Sequence, residues 1–101
     1  MAKRIVVWTM TATKQRRMIL KYWTEKNGST VFAEKLISLI KERIHMIEFH
    51  PFAYKATTYL DVRVSSLGHF SIYYRITEKE IIILAFWDNR REPSKVLAEL
   101  M

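Results

Sequence analysis

Residues 62–87 have the sequence VRVSSLGHFSIYYRITEKEIIILAFW, and this stretch decides the fold. Apolar and polar side chains alternate along much of it, which is the period of a β-strand with one buried face. Two interruptions, at Leu67–His69 and Glu78–Glu80, predict turns. The last run, Ile81–Trp87, is apolar on both faces and predicts a central strand. Short connections between three consecutive strands favour an antiparallel meander.

The N-terminal half predicts a strand followed by two helices. Residues 3–8 include Ile, Val and Trp, which favour strands. From Met10 to about Lys26, and from about Thr30 onward, apolar residues recur every three or four positions, as in an amphipathic helix. Asn27–Gly28 suits a helix end because both residues tolerate positive φ, and Pro51 ends the second helix. The short connection predicts an antiparallel helical hairpin.

The chain has 101 residues, enough for one domain with one core. The segments together predict a single α+β domain over residues 1–101. In it, an N-terminal strand precedes an antiparallel helical hairpin, which packs its apolar stripe on one face of an antiparallel β-meander sheet. A short C-terminal tail or helix, with Ser94 as a possible cap and Leu100 near its end, completes the predicted fold.

Composition narrows the class of protein and points to a polyanionic partner. The chain has no Cys, which excludes disulfides and thiolate metal sites. Its three His are too scattered for a metal cluster. We therefore expect no metal and no cofactor. No apolar run is long enough for a membrane span or a signal peptide, and we expect a cytoplasmic protein. The net charge of +7 favours nucleic acid as the partner, while an anionic membrane or an acidic protein would also fit.

Strand alternation sorts the charged side chains onto one face of the predicted sheet. The residues expected to face the helices are Val62, Val64, Phe70, Ile72 and Tyr74. The residues expected on the other face are Arg63, His69, Ser71, Tyr73 and Arg75. Cations bind phosphates, and Tyr or His can stack on unpaired bases. The candidate nucleic-acid-binding residues are therefore Lys55, Arg63, Arg75, Arg90 and Arg91.

The same residue types can cleave RNA through its own 2′-hydroxyl without a metal. That reaction needs a base, cations that stabilise the charge on phosphorus, and an acid for the leaving oxygen. Arg63 and Arg91, with Arg90, suit the cationic role, and His69 or Tyr73 can act as acid or base. Two other interpretations stay open, namely solvated charges on a sheet face and cross-strand packing by Tyr73.

Six segments occur in a characteristic order, namely IVVWT (5–9), ILKYW (19–23), a helix ending at His50–Pro51, VRV (62–64), GHFSIYYRI (68–76) and IIILAFWDNRREP (81–93). Together they resemble the RelE/ParE toxin superfamily. The resemblance covers nearly the whole chain and implies the architecture already predicted from periodicity. It also implies the toxin of a bacterial type II toxin–antitoxin module, which a cognate antitoxin wraps and neutralises.

The resemblance implies two possible targets. One branch of the superfamily cleaves mRNA in the ribosomal A site, and another poisons DNA gyrase. Arg63 and the Arg90–Arg91 pair fall where the cleaving branch has basic residues, so ribosome-dependent mRNA cleavage is the first expectation. Ser71 and Leu97 stand where the best-known cleaving members carry Arg and Tyr, and the long hairpin resembles the gyrase-directed branch. A non-toxic nucleic-acid-binding domain of the same fold is a third alternative.

Overall fold

A computed structural model describes residues 3–59, 61–92 and 95–96. The elements in chain order are β1 (Ile5–Trp8), α1 (Met10–Asn27), α2 (Val31–Phe49), β2 (Lys55–Ala56), β3 (Val62–Leu67), β4 (Phe70–Ile76) and β5 (Glu80–Asp88). The predicted α+β fold is confirmed. Of the predicted C-terminal helix, only Lys95 and Val96 lie within the described residues, and Leu97 lies outside them. No helix in the described part of the chain is long and apolar enough to cross a membrane.

The strands form a five-stranded sheet in the order β1-β5-β4-β3-β2. The antiparallel meander of β3, β4 and β5 is confirmed. β5 is central, as its two apolar faces predicted, because β1 pairs with it in parallel on the side away from β4. The two-residue strand β2, which the sequence did not predict, pairs antiparallel with β3 at the other edge.

The helical hairpin has the predicted boundaries because capping and turn residues mark its start, its turn and its end. Thr9 caps α1, and its hydroxyl accepts a hydrogen bond from the amide of Ala12 at 3.0 Å. Gly28 ends α1 with a left-handed φ of 64°, a conformation that costs glycine little. At the end of α2 the amide of His50 bonds back to Met46, and Pro51 follows.

The main core lies between the hairpin and one face of the sheet. Its buried members include Leu36, Ile40 and Ile47 from α2 and Ile72 and Ile83 from the sheet. A smaller cluster lies on the opposite face of the sheet, which we call the outer face. It consists of Ala85, Trp87 and Val96, with Tyr73 packed against them.

The inward face of β3 differs from the predicted one. Leu67 pairs directly with Phe70, Ser65 with Ile72 and Arg63 with Tyr74, and directly paired residues share a face. Because Phe70, Ile72 and Tyr74 belong to the main core, Arg63 and Ser65 also lie on the helix side. Arg43 of α2 donates a hydrogen bond to the Ser65 hydroxyl at 2.8 Å, which stabilises this arrangement. The prediction that Val62 and Val64 face the helices, with Arg63 on the outer face, is therefore wrong.

A register shift in β5 explains how this strand contributes side chains to both the main core and the outer-face cluster. Tyr73 pairs with Ala85 and Tyr74 pairs with Ile83, so Leu84 is an extra residue between two ladder pairs. After this bulge Phe86 points to the main core and Trp87 to the outer face. The bulge therefore sets the direction of the side chains that reach the C-terminal end of β5.

Candidate functional site

A cleft of about 930 Å³ lies between α1 and the C-terminal end of β5. Its wall includes the apolar side chains of Met18, Ile19, Trp23 and Phe86. Its polar and charged lining includes Lys14, Tyr22, Asp88, Arg90 and Arg91. We call this the α1–β5 cleft. It has the size and the mixture of apolar wall and few polar groups that are typical of ligand and partner sites.

Asp88 and Arg90 form a close ion pair in the cleft. The Arg90 guanidinium donates to both carboxylate oxygens of Asp88, with an Nη2–Oδ2 distance of 2.5 Å. Asp88 is buried, and the hydrogen bond from Arg90 holds the pKa of its carboxyl below the ordinary value. The same contact raises the pKa of Arg90. The positive charge of Arg90 is therefore largely compensated by Asp88.

Two aromatic residues of α1 hold Arg90 from the other side. The guanidinium carbon lies 4.9 Å from the ring centroid of Trp23 and 5.5 Å from that of Tyr22. Lys26, one turn after Tyr22, lies 3.5 Å from the Tyr22 hydroxyl oxygen. Lys26 first, and Arg90 second, lower the pKa of Tyr22. The Trp23 indole nitrogen is buried and has no hydrogen-bond partner among the described residues.

His69, Arg90 and Arg91 come together at this end of β5. The amide of Asn89 donates to the His69 carbonyl oxygen at 2.8 Å, which holds the β3–β4 turn against the residues that follow β5. The Arg91 guanidinium carbon lies 4.1 Å from the Trp87 ring centroid. The structure thus brings the backbones of His69, Arg90 and Arg91 to one end of the sheet, with the Arg90 guanidinium against Trp23 of α1 and the Arg91 guanidinium against Trp87 of the outer face.

The outer face carries Tyr73 and Arg75. Tyr73 packs against Ala85, Trp87 and Val96, and burial raises the pKa of its hydroxyl. Arg75 is exposed and pairs with Val62 on this face. The arrangement of Tyr73 corresponds to cross-strand packing, one of the alternatives left open by the sequence.

Arg63 and Lys55 lie at the β2–β3 edge, on opposite sides of the sheet. The Arg63 guanidinium donates to the backbone carbonyl oxygens of Tyr54 at 2.6 Å and Phe52 at 3.2 Å. Lys55 is exposed and pairs with Val64, so it shares a face with Val64 and not with Arg63. Arg63 and Lys55 are therefore separated from the candidate residues at the C-terminal end of β5, where Tyr73 and Arg91 both contact the Trp87 region.

The sequence did not single out Tyr22, Trp23 and Lys26 as site residues. Tyr22 and Trp23 were assigned to the apolar stripe of the first helix, although Tyr22 is 46% exposed. A signal was present, since Tyr22 and Lys26 are four residues apart and such pairs are neighbours on a helix. Their approach to Arg90 depends on how α1 packs against β5, which no local pattern records.

Comparison with known proteins identifies the family. The family model of the ParE toxin of the type II toxin–antitoxin system, parDE, matches residues 6–93. A solved chain of the chromosomal ParDE toxin–antitoxin system from P. aeruginosa has the same fold, with a TM-score of 0.74 at 23% identity over 85% of this chain and 96% of that one. No curated protein sequence matches significantly. The chain belongs to the ParE toxin family of type II toxin–antitoxin systems, within the RelE/ParE superfamily that its sequence resembles.

Proposed function

We propose that this ParE-family toxin inhibits DNA gyrase by binding it, and that a cognate antitoxin neutralises it. The observation that carries the proposal is the separation of the groups that RNA cleavage would require. A base, an acid and the stabilising cations must all reach one phosphodiester. Tyr73 lies in the outer-face cluster, whereas Arg63 lies on the helix side and is bound to two carbonyl groups.

The raised pKa of Tyr73 counts against one of its two predicted roles in cleavage, that of general base. Burial raises the pKa of this hydroxyl above an already high ordinary value, so it stays protonated at neutral pH and is a poor general base. A binding function makes no such demand. It needs complementary shape and charge, which the α1–β5 cleft offers through its apolar wall and cationic rim.

The antitoxin is proposed to be acidic and apolar where it covers this toxin. A chain with a net charge of +7 attracts carboxylates, and the apolar wall of the cleft takes apolar side chains. A helix in the groove or a strand at a sheet edge would both satisfy these requirements.

Ribosome-dependent mRNA cleavage is the second candidate, and one observation favours it. The carbonyl oxygen of His69 accepts a hydrogen bond from the amide of Asn89, so the β3–β4 turn contacts the segment that carries Arg90 and Arg91. In that mechanism His69 would be the acid or base, and the two arginines would stabilise charge on phosphorus. Asp88 weakens this case because it compensates the charge of Arg90.

The two candidates separate in parallel assays on one preparation of toxin, freed from its antitoxin. For gyrase binding we expect inhibition of DNA supercoiling, an SOS response on induction, and intact mRNA. For mRNA cleavage we expect cut messages on programmed ribosomes, abolished by His69→Ala or Arg91→Ala, with full supercoiling activity. Normal supercoiling at toxin excess over gyrase would refute the proposal.

A further inference from the structure

Two phenylalanine rings are exposed at the end of the molecule opposite the α1–β5 cleft. Phe49 is 63% exposed and Phe52 is 62% exposed. They lie around the end of α2, close to the residues that begin β1. Together with Lys3, Arg4 and Arg63 they form what we call the Phe49–Phe52 patch. Exposed aromatic rings that lie near one another and beside positive charges are a feature of interaction surfaces.

Cations lie against both rings. The guanidinium carbons of Arg4 and Arg63 lie 5.7 and 5.4 Å from the Phe52 ring centroid. The Lys3 ammonium lies 5.8 Å from the centroid of Phe49. These contacts are within the range of cation–π attraction and keep positive charge beside exposed π surface.

Backbone groups hold the two arginines and leave their charge uncompensated. Arg4 donates through Nε to the carbonyl oxygen of Thr77 at 2.8 Å, and Arg63 donates to those of Phe52 and Tyr54. Within residues 3–59, 61–92 and 95–96, neither arginine forms an ion pair. Lys3 differs, since its ammonium is 3.3 Å from the carboxylate of Glu48. The patch therefore presents two positioned positive charges.

A polar depression of about 410 Å³ adjoins Phe52 and Arg63. Thr57, Thr58, Tyr59 and Asp61 contribute to its lining. The Thr57 hydroxyl is bonded within the turn, where it donates to the carbonyl oxygen of Val62 at 2.8 Å. Its lining is more polar than that of the α1–β5 cleft. The depression therefore places polar groups beside an exposed ring. A flat ligand that stacks on the ring could form hydrogen bonds there through its polar edge.

We propose that the Phe49–Phe52 patch binds an unpaired nucleic-acid strand. A base stacks on Phe52 with its polar edge toward the depression, and the flanking phosphates lie at Arg4 and Arg63. Stacking platforms combined with cations along the backbone are how single strands are held without sequence preference. A nucleotide would use the exposed ring, the two positive charges and the polar depression together. This site goes beyond gyrase inhibition and does not depend on it.

Fluorescence anisotropy tests the proposal on purified full-length toxin with labelled oligothymidylate and oligouridylate of about 12 nucleotides. We expect at least one strand to bind better than a duplex of the same length. Phe52→Leu, which keeps an apolar side chain but removes the ring, should weaken binding about tenfold, and Phe52→Trp should retain it. A preference between the two oligonucleotides identifies DNA or RNA as the source of the strand.

The charge contribution has its own matched pair of variants. Arg4→Gln should weaken binding. It should also reduce the slope of the logarithm of the binding constant against the logarithm of the salt concentration by about 0.7, the value for one lost phosphate contact on a single strand. Lys41→Gln removes the same charge from an exposed position on α2 and should change binding little. Circular dichroism confirms that each variant is folded.

Four results would overturn the proposal. One is equal affinity of wild type and Phe52→Leu, and another is an equal loss in Arg4→Gln and Lys41→Gln, since both mean non-specific attraction. The third is a loss of affinity for an oligoglutamate peptide in Phe52→Leu that equals the loss for the oligonucleotides. That result would assign the patch to an acidic protein. Gyrase inhibition without strand binding would overturn this inference and leave the proposed function standing.

Discussion

The α1–β5 cleft, at the C-terminal end of β5, and the Phe49–Phe52 patch, at the other end of the molecule, both place arginine against aromatic rings. They differ in the groups that bind the arginine. At the C-terminal end, Arg90 lies over Trp23 and is bound by the carboxylate of Asp88. At the other end, Arg4 and Arg63 lie beside Phe52 and are bound by uncharged carbonyl groups. The first end has a compensated charge, whereas the second has two arginines that form no ion pair within the described residues.

This difference shows that a cation–π contact does not by itself indicate a binding site. The counter-charge decides, because an arginine bonded to a carboxylate has little attraction left for a phosphate, whereas one bonded to carbonyl groups keeps most of it. Arg90 therefore stabilises the α1–β5 contact, and Arg4 and Arg63 are suited to an anionic partner.

The largest expected effect is a loss of stability, and it separates a buried phenylalanine of the core from an exposed phenylalanine of the patch when each is replaced by alanine. Phe86 is fully buried and stacks on Phe70, with ring centroids 5.4 Å apart. Phe86→Ala should lower the free energy of unfolding by about 3–5 kcal/mol, the usual cost of a large cavity. Phe52→Ala should change it by about 0.5 kcal/mol or less, because that ring is mostly exposed.

Urea denaturation of both variants measures the contrast. A loss of stability in Phe52→Ala similar to that in Phe86→Ala would mean that Phe52 is a packing residue, and the patch would lose its functional interpretation. Binding of oligonucleotides should show the reverse order among folded proteins, with Phe52→Ala impaired.

A smaller effect is expected from the bond that connects the core to the patch. The buried Tyr74 hydroxyl donates to the carbonyl oxygen of Pro51 at 2.6 Å, next to Phe52. Tyr74→Phe leaves that carbonyl unsatisfied and should cost about 1–2 kcal/mol of unfolding free energy in urea denaturation. Tyr73→Phe, one residue earlier on β4, is the control and should cost less. Equal losses would mean that the Pro51 bond contributes nothing specific.

The α1–β5 end should respond to acid through Asp88. Asp88→Asn removes the ionic partner of Arg90 and should lower the melting temperature by a few degrees, since the half-exposed Arg90 is screened by water. The folded pKa of Asp88 is lowered from an unfolded value of about 3.9, so the contribution is present above about pH 4 and lost as pH falls through the folded pKa.

Thermal melts of wild type and Asp88→Asn at several pH values measure this contribution. The difference between the two proteins should narrow as the pH is lowered below about 4. Glu78→Gln, at an exposed turn, is the matched control. A difference independent of pH would show that the ion pair does not stabilise the cleft.

Most of the fold could be predicted from the sequence because its elements are locally encoded. Gly28 and Pro51 mark the helix ends, and the apolar run 81–87 indicated the central strand. The inward face of β3 could not be predicted, because alternation shows which residues share a face but not which face is buried. On the buried face, Ser65 bonds to Arg43, a distant residue of α2, and no local pattern records that contact.

The site was less predictable than the fold for the same reason. Arg90 was identified as a cation, but its pairing with Asp88 and its contact with Trp23 depend on tertiary packing. Phe52 follows the proline that ends α2, and nothing in its local pattern indicated exposure beside Arg4. Composition indicated the overall charge of the chain, and only the structure shows which charges are compensated.

The smallest expected effect is a spectroscopic difference between tyrosines at the cleft and in the core. Lys26 and Arg90 favour the phenolate of Tyr22 and lower its pKa, whereas burial raises the pKa of Tyr74 to about 12. In a phenolate absorbance titration, Tyr22→Phe should remove the component that appears at the lowest pH. Tyr74→Phe should remove a component at the highest pH. Lys26→Gln should move the Tyr22 component upward, because Lys26 is the main cause of its shift. An unchanged first component in Lys26→Gln would mean that the cleft does not hold its cations against Tyr22, and the contrast between the two ends would then rest on Asp88 alone.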